Sequence, residues 1–144
     1  MKTPLSFLTI LATVTAFSSA NAADTTIEML NKRDDGGKMV YSEDITKIDV
    51  GDTITWVPTS KGHNVEFIAG PEGFDLPKKS KNSKEFSISF DEPGIYYYWC
   101  TPHKSMGMIA LVVVGDDTSN IEDIAAAKAV GKSKKKLVTL LSKL

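Results

Sequence analysis

Between Thr25 and Gly115 the chain is cut into short apolar runs: TIEML, ITKIDV, TITWV, NVEFI, KEFSISF, IYYYWC and MIALVVV. Turn signals such as DDGG, VGD, AGPEG and DEPG separate them. Thr53 to Val57 and Phe86 to Phe90 alternate polar with apolar, the two-residue period of a strand with one wet face. Short runs closed by Gly, Pro and Asp predict an all-β sandwich or barrel and not alternating β/α units. DEPGIY further predicts a corner where the Tyr96 hydroxyl ties back to the turn before its strand.

Both ends of the chain have another character. Residues 1–22 read as a signal peptide: Lys2, an apolar run from Leu5 to Phe17, and Ala20-Asn21-Ala22 as the cleavage site. That run is short and rich in Ser and Thr, which argues against a retained membrane span. Residues 23–115 are expected to form the sandwich and residues 116–144 a helical extension. In the extension, Ser119-x-x-Glu122 predicts a capping box for a first helix that stops at Gly131. Leu137, Leu140, Leu141 and Leu144 then share one face of a second helix. With Lys134, Lys135 and Lys136 beside it, that stripe fits either a membrane surface or packing against the sandwich, and packing is the expectation. The formal charge of the 144 residues is −1, and nothing in it points to nucleic acid.

Against export, the single cysteine is informative. Cysteines of oxidising compartments normally pair, so Cys100 implies an intermolecular bridge, a reactive thiol or a sulfur occupied by something else. His103 follows it after a turn at Pro102, and the only other histidine, His63, heads another predicted strand. Strand ends of a sandwich gather at one pole, which brings His63, Cys100 and His103 within reach of one ion. Two imidazoles, a thiolate and a weak thioether describe a blue-copper electron-transfer site. Structural zinc asks for four firm Cys or His ligands, and this chain offers three.

His63 with Cys100-x-x-His103-x-x-x-x-Met108 resembles the cupredoxin family of type 1 blue copper proteins. CTPH, MGMIALVVVGD and a two-helix tail are similar to its pseudoazurin subgroup, as are MLNK (Met29 to Lys32) and GHNVE (Gly62 to Glu66). The resemblance, over about residues 24–144, implies a Greek-key cupredoxin β-sandwich of eight strands with one copper near a pole. It also implies a periplasmic electron carrier, often serving a nitrite reductase in denitrification. Two methionines compete for the axial position; the subgroup's spacing selects Met108 and leaves Met106 on an apolar rim. Asn64 is expected to give its backbone N–H to the Cys100 sulfur and its side chain to the Thr101 region. Trp56, Trp99 and Tyr96 to Tyr98 are expected to pack and not to relay electrons.

His103 is the expected electron port, within a patch drawn from Met39, Pro58, Pro102, Met106 and Ile109. Lys61 and Lys104 flank the two histidines, and Lys78, Lys79, Lys81 and Lys84 lie between the ligands in sequence. If they ring the copper pole they steer it toward an acidic partner such as nitrite reductase, with a c-type cytochrome as another redox partner. The expected mature protein is a monomer without a membrane span. A copper carrier and a Cys-His thiol enzyme are the rival readings; the pattern builds a buried mixed site unlike the exposed ligands of a carrier, and a short sandwich offers no obvious cleft.

Overall fold

The computed structural model describes residues 22–144, so the leader expectation lies outside the described residues apart from Ala22. Eight strands follow in order: β1 (Asp24–Lys32), β2 (Lys38–Tyr41), β3 (Ile45–Ile48), β4 (Thr53–Val57), β5 (Glu66–Ala69), β6 (Phe86–Ser89), β7 (Gly94–Trp99) and β8 (Ile109–Val114). Two helices close the chain, α1 (Ile121–Ala126) and α2 (Ser133–Leu141). One sheet runs β2-β1-β4-β6 and the other β3-β8-β7-β5. β1 lies parallel to β4 and β3 parallel to β8, while the remaining pairs are antiparallel.

Seven strands follow the sequence pattern. β2 does not: KMVY has no polar/apolar alternation, and Met39 sits at φ 50°, so no local signal marks it. β5 starts at Glu66 and not at Asn64 because Val65 is already engaged. Its N–H donates to Ser80 Oγ and its carbonyl accepts from Ser80 N–H, both at 2.9 Å.

The core between the sheets is aromatic. Trp56 meets Tyr98 and Phe67 edge-on, with ring centroids 5.3 and 5.8 Å apart. Tyr96 donates to the Glu92 carbonyl at 2.7 Å, the corner bond expected from DEPGIY. On the outer face of the first sheet, Thr53 pairs with Ser89 and Thr55 with Ser87 through their hydroxyls, at 2.7 and 3.0 Å. The alternation seen in the sequence is therefore a core face and a hydroxyl-lined face.

β7 and β8 break that pattern, being buried at every residue. Tyr96, Tyr98, Val112 and Val114 face the other sheet. Ile95, Tyr97, Trp99, Leu111 and Val113 face outward and are covered by Ile124, Leu137 and Leu140 of the helices. A buried side chain of this size contributes about 1.5–3 kcal/mol over an exposed one, so the extension is part of the domain's core. Leu137 and Leu140 are buried and Leu141 and Leu144 pack against the same cluster. The leucine stripe is thus engaged with the sandwich, and among the described residues no helix is long and apolar enough to cross a membrane.

Three local expectations are corrected. α1 ends at Ala126, well before Gly131. Its N-cap is Asn120, with no capping bond from any side chain. The Asn120 amide instead accepts from Ile95 N–H and donates to Ile95 O, both at 2.9 Å, so a tertiary bond displaces the local cap. Ile109, expected on the rim of the port, is fully buried beneath the helices.

Candidate metal centre

His63 lies in the connection between β4 and β5. Gly62, at φ 91°, turns the chain there, a conformation that costs glycine little. Ser83 pins this turn from both sides: Gly62 N–H donates to Ser83 Oγ at 2.8 Å, and Ser83 N–H donates to the His63 carbonyl at 2.9 Å. Cys100 directly follows β7, and a 3-10 helix, Thr101–Met106, starts beside it with Pro102 in its first turn. Gly107, at φ 97°, reverses the chain into β8. Cys100 N–H donates to the Met108 carbonyl at 2.9 Å and His103 N–H to the Cys100 carbonyl at 3.1 Å.

Three donor atoms converge. The two Nδ1 atoms of His63 and His103 are 3.1 Å apart, and the Cys100 sulfur lies 3.7 Å from the first and 3.4 Å from the second. The point equidistant from all three lies about 2.0 Å from each, the length that imidazole bonds to a divalent ion take and close to that of thiolate bonds. The triangle therefore fits one small metal ion in its plane. His63 Nε2–H donates to Asn31 Oδ1 at 2.8 Å, which fixes the tautomer and leaves Nδ1 with its lone pair toward the triangle. Met108 is fully buried in the same cluster as Cys100, whereas Met106 is 49% exposed.

Burial disfavours charge on Cys100 and on His63 alike. Burial pushes the Cys100 thiol up, while N–H groups of Asn64 and His103 directed at the sulfur pull the other way. Burial, and then His103 beside it, holds His63 below the usual histidine range. A bound metal ion would take the place of the thiol proton and compensate the thiolate charge that burial disfavours.

Around the triangle a hydrogen-bond chain holds the sulfur's neighbours. Thr101 N–H donates to Asn64 Oδ1 at 2.7 Å, and Asn64 Nδ2 donates to Thr101 Oγ1 at 3.0 Å and to the Ser80 carbonyl at 3.3 Å. Thr101 Oγ1–H and Trp99 Nε1–H both donate to Glu66 Oε2, at 2.7 and 2.6 Å. Burial works against charge on Glu66, but these two bonds, with Lys79 and Lys104 nearby, hold its carboxyl below the ordinary range. Tyr41 Oη–H donates to the Asn64 carbonyl at 2.7 Å. Asn31, Tyr41, Glu66 and Ser80 were not singled out in the sequence. MLNK and GHNVE contain Asn31 and Glu66, but their partners lie more than thirty residues away.

Pro102 and Lys61 are exposed, and His103 and Lys104 half-buried. The Lys104 ammonium sits 4.8 Å from the centre of the Trp99 ring. Lys78, Lys79 and Lys81 line a surface groove with Asn82, Thr101 and Pro102, beside the ligand loop.

A sandwich of this topology, with two histidines and a cysteine set about one point at its pole, defines a class. The chain belongs to the plastocyanin/azurin family of copper binding proteins, whose family model matches residues 27–115. Within that family its relatives include pseudoazurins. A putative pseudoazurin of Rhizobium leguminosarum bv. viciae is 45% identical over 140 residues, covering 93% of this chain and 90% of the other. The solved pseudoazurin of a Sinorhizobium superposes with a TM-score of 0.79 at 36% identity, covering 84% of this chain and 95% of that one. The pseudoazurin of Methylobacterium extorquens AM1 superposes with a TM-score of 0.75 at 38% identity, covering 83% and 98%. The chain is thus a blue-copper electron carrier and not an enzyme, and copper is its cofactor.

Proposed function

We propose that this protein shuttles single electrons in the periplasm and donates them to a nitrite reductase in denitrification, as a monomer that a c-type cytochrome can also serve. In this reading residues 1–22 are a cleaved leader, 23–115 the copper-binding sandwich and 116–144 its helical extension. His63, Cys100, His103 and Met108 would hold the copper, the two imidazoles and the thiolate as firm ligands and the thioether as a weak one. The observation that carries the reading is the triangle of two Nδ1 atoms and one sulfur with a common centre at bonding distance from each. Bound there, copper supplies a one-electron couple between Cu(II) and Cu(I).

The chain's own residues do the rest. Asn31 aims the His63 ring, and Asn64, locked to Thr101, holds its backbone N–H toward the sulfur. Buried Met108 and the aromatic core keep water from the inner side. His103, half-buried between Pro102 and Met106 in sequence, is the port through which a partner exchanges electrons. Lys61, Lys78, Lys79, Lys81 and Lys104 offer positive charge near this pole to an acidic partner surface.

The test is the visible and electron-paramagnetic-resonance spectrum of the copper-loaded protein and of Cys100→Ser. Wild type should show an intense thiolate-to-copper band that the serine variant loses entirely. An equally intense band in Cys100→Ser would remove the sulfur from the ligand set. Release of copper on each redox cycle would favour a carrier of copper over a carrier of electrons.

A further inference from the structure

We propose that the segment Gly131–Ser133, where the chain enters α2, is a clasp on the ligand loop, and that Ser133 and Gly131 are positioning residues for the copper centre. The proposal rests on the reading of His103 as a ligand. At the end of the loop helix Thr101–Met106 the Lys104 carbonyl accepts only a 3.2 Å bond from Gly107 N–H, and the helix contains no buried side chain to anchor it. The α2 segment adds a bond to this carbonyl and one to the next. Lys132 N–H donates to the Ser105 carbonyl at 2.9 Å, and Ser133 Oγ–H donates to the Lys104 carbonyl.

Ser133 is fully buried. It is the first residue of α2, after the N-cap Lys132, and it makes no capping bond. Its hydroxyl is directed instead at the residue after His103. Gly131, at φ 55°, comes so close that a Cβ there would run into the Ser105 carbonyl and lie 3.0 Å from Ser105 Cα. On the far side, a Cβ on Gly107 would meet Lys132 at 3.6 Å. The loop thus lies against the α2 segment, bonded to it at Lys104 and Ser105.

α2 is itself secured to the sandwich, by Leu137 and Leu140 beneath it and by Lys136 Nζ donating to Asp44 Oδ1 at 2.8 Å. The clasp therefore transmits the rigidity of the sheet to a half-buried histidine on a surface loop. An electron carrier gains from a ligand that keeps one position in both oxidation states, because ligand movement slows transfer. The helical extension on this account covers β7 and β8 and also limits the movement of His103.

The experiment compares Ser133→Ala, Ser133→Thr, Gly131→Ala and Leu141→Ala. Leu141→Ala loosens α2 without touching the loop. In copper-free protein, amide hydrogen exchange at Gly107 and Met108 should quicken about tenfold in Ser133→Ala, the scale of one lost hydrogen bond. Ser133→Thr, which keeps the hydroxyl, should restore it, and Leu141→Ala should leave it unchanged. In copper-loaded protein, Ser133→Ala and Gly131→Ala should shift the reduction potential and slow electron self-exchange several-fold, with Leu141→Ala matching wild type. Loop exchange and potential unchanged in Ser133→Ala, or changed equally by Leu141→Ala at equal loss of stability, would overturn the clasp. A wild-type protein without the intense visible band would sink the copper ligand set instead, leaving the copper-free exchange data to judge the clasp alone.

Discussion

Two methionines stand two positions apart in the loop, and their surroundings assign them different work. Met108 is enclosed beside Cys100, with its carbonyl held by the Cys100 N–H, while Met106 is half in solvent. A weak axial thioether stabilises Cu(II) more than Cu(I), so its loss should favour the reduced state. Met108→Leu should leave copper bound, shift the visible band and raise the reduction potential by about 60 mV, a tenfold change for a one-electron couple. Met106→Leu should move it far less. Voltammetry of both variants checks this, and the opposite order would transfer the axial role to Met106.

At the scale of elements, Asp44 joins three parts of the chain. It lies between β2 and β3 and accepts from Lys136 of α2 at 2.8 Å and from Arg33, in the β1–β2 connection, at 3.2 Å. Burial opposes its charge, but the bonds from Lys136 and Arg33 outweigh burial and hold the carboxyl below its usual value. Its folded-state pKa is depressed, so its contribution is complete above the unfolded value of roughly 3.9 and is lost as pH falls through and below it. Asp44→Asn should cost about 1–2 kcal/mol at pH 7, as expected for partly buried charge-assisted bonds. Urea unfolding at pH 7 and near pH 3 should show the gap between wild type and variant closing at the lower pH. A gap of equal size at both would remove Asp44 from the acid response.

For the whole molecule, charge is distributed by segment. Residues 24–60 carry four bases and eight acids, residues 105–127 four acids and no base, and residues 128–144 six bases and no acid. The total of −1 conceals lysines beside the copper pole. The proposed steering should appear as a second-order rate with an acidic redox partner that falls as salt rises, since screening acts over about 10 Å at 0.1 M. Lys61→Glu or Lys79→Glu should flatten that slope, and Lys143→Glu at the chain end should not. Stopped-flow rates across a salt series decide it, and a salt-independent rate would reject steering.

Most strands were legible because their signals are local. Alternation in β4 and β6, the DEPG corner and the apolar runs of β7 and β8 are set by neighbours within a few residues. The ligand types were legible for the same reason: a cysteine three residues before a histidine, with a methionine five residues further on, is a local pattern. Contacts across long stretches of chain were not. Asn31 meets His63, and Glu66 meets Thr101, only because two connections and two strand ends come together at one pole. β2 has no periodicity of its own and forms by pairing with β1. Asn120 gives up a cap for a β7 backbone that sequence spacing cannot place beside it. The run MIALVVV calls for cover on both faces, but tertiary packing decided that α1 and α2 supply one of them. Side-chain chemistry and short-range periodicity thus belong to the sequence alone. The partners of each polar group depend on how distant segments are brought together, and that is a property of the folded chain.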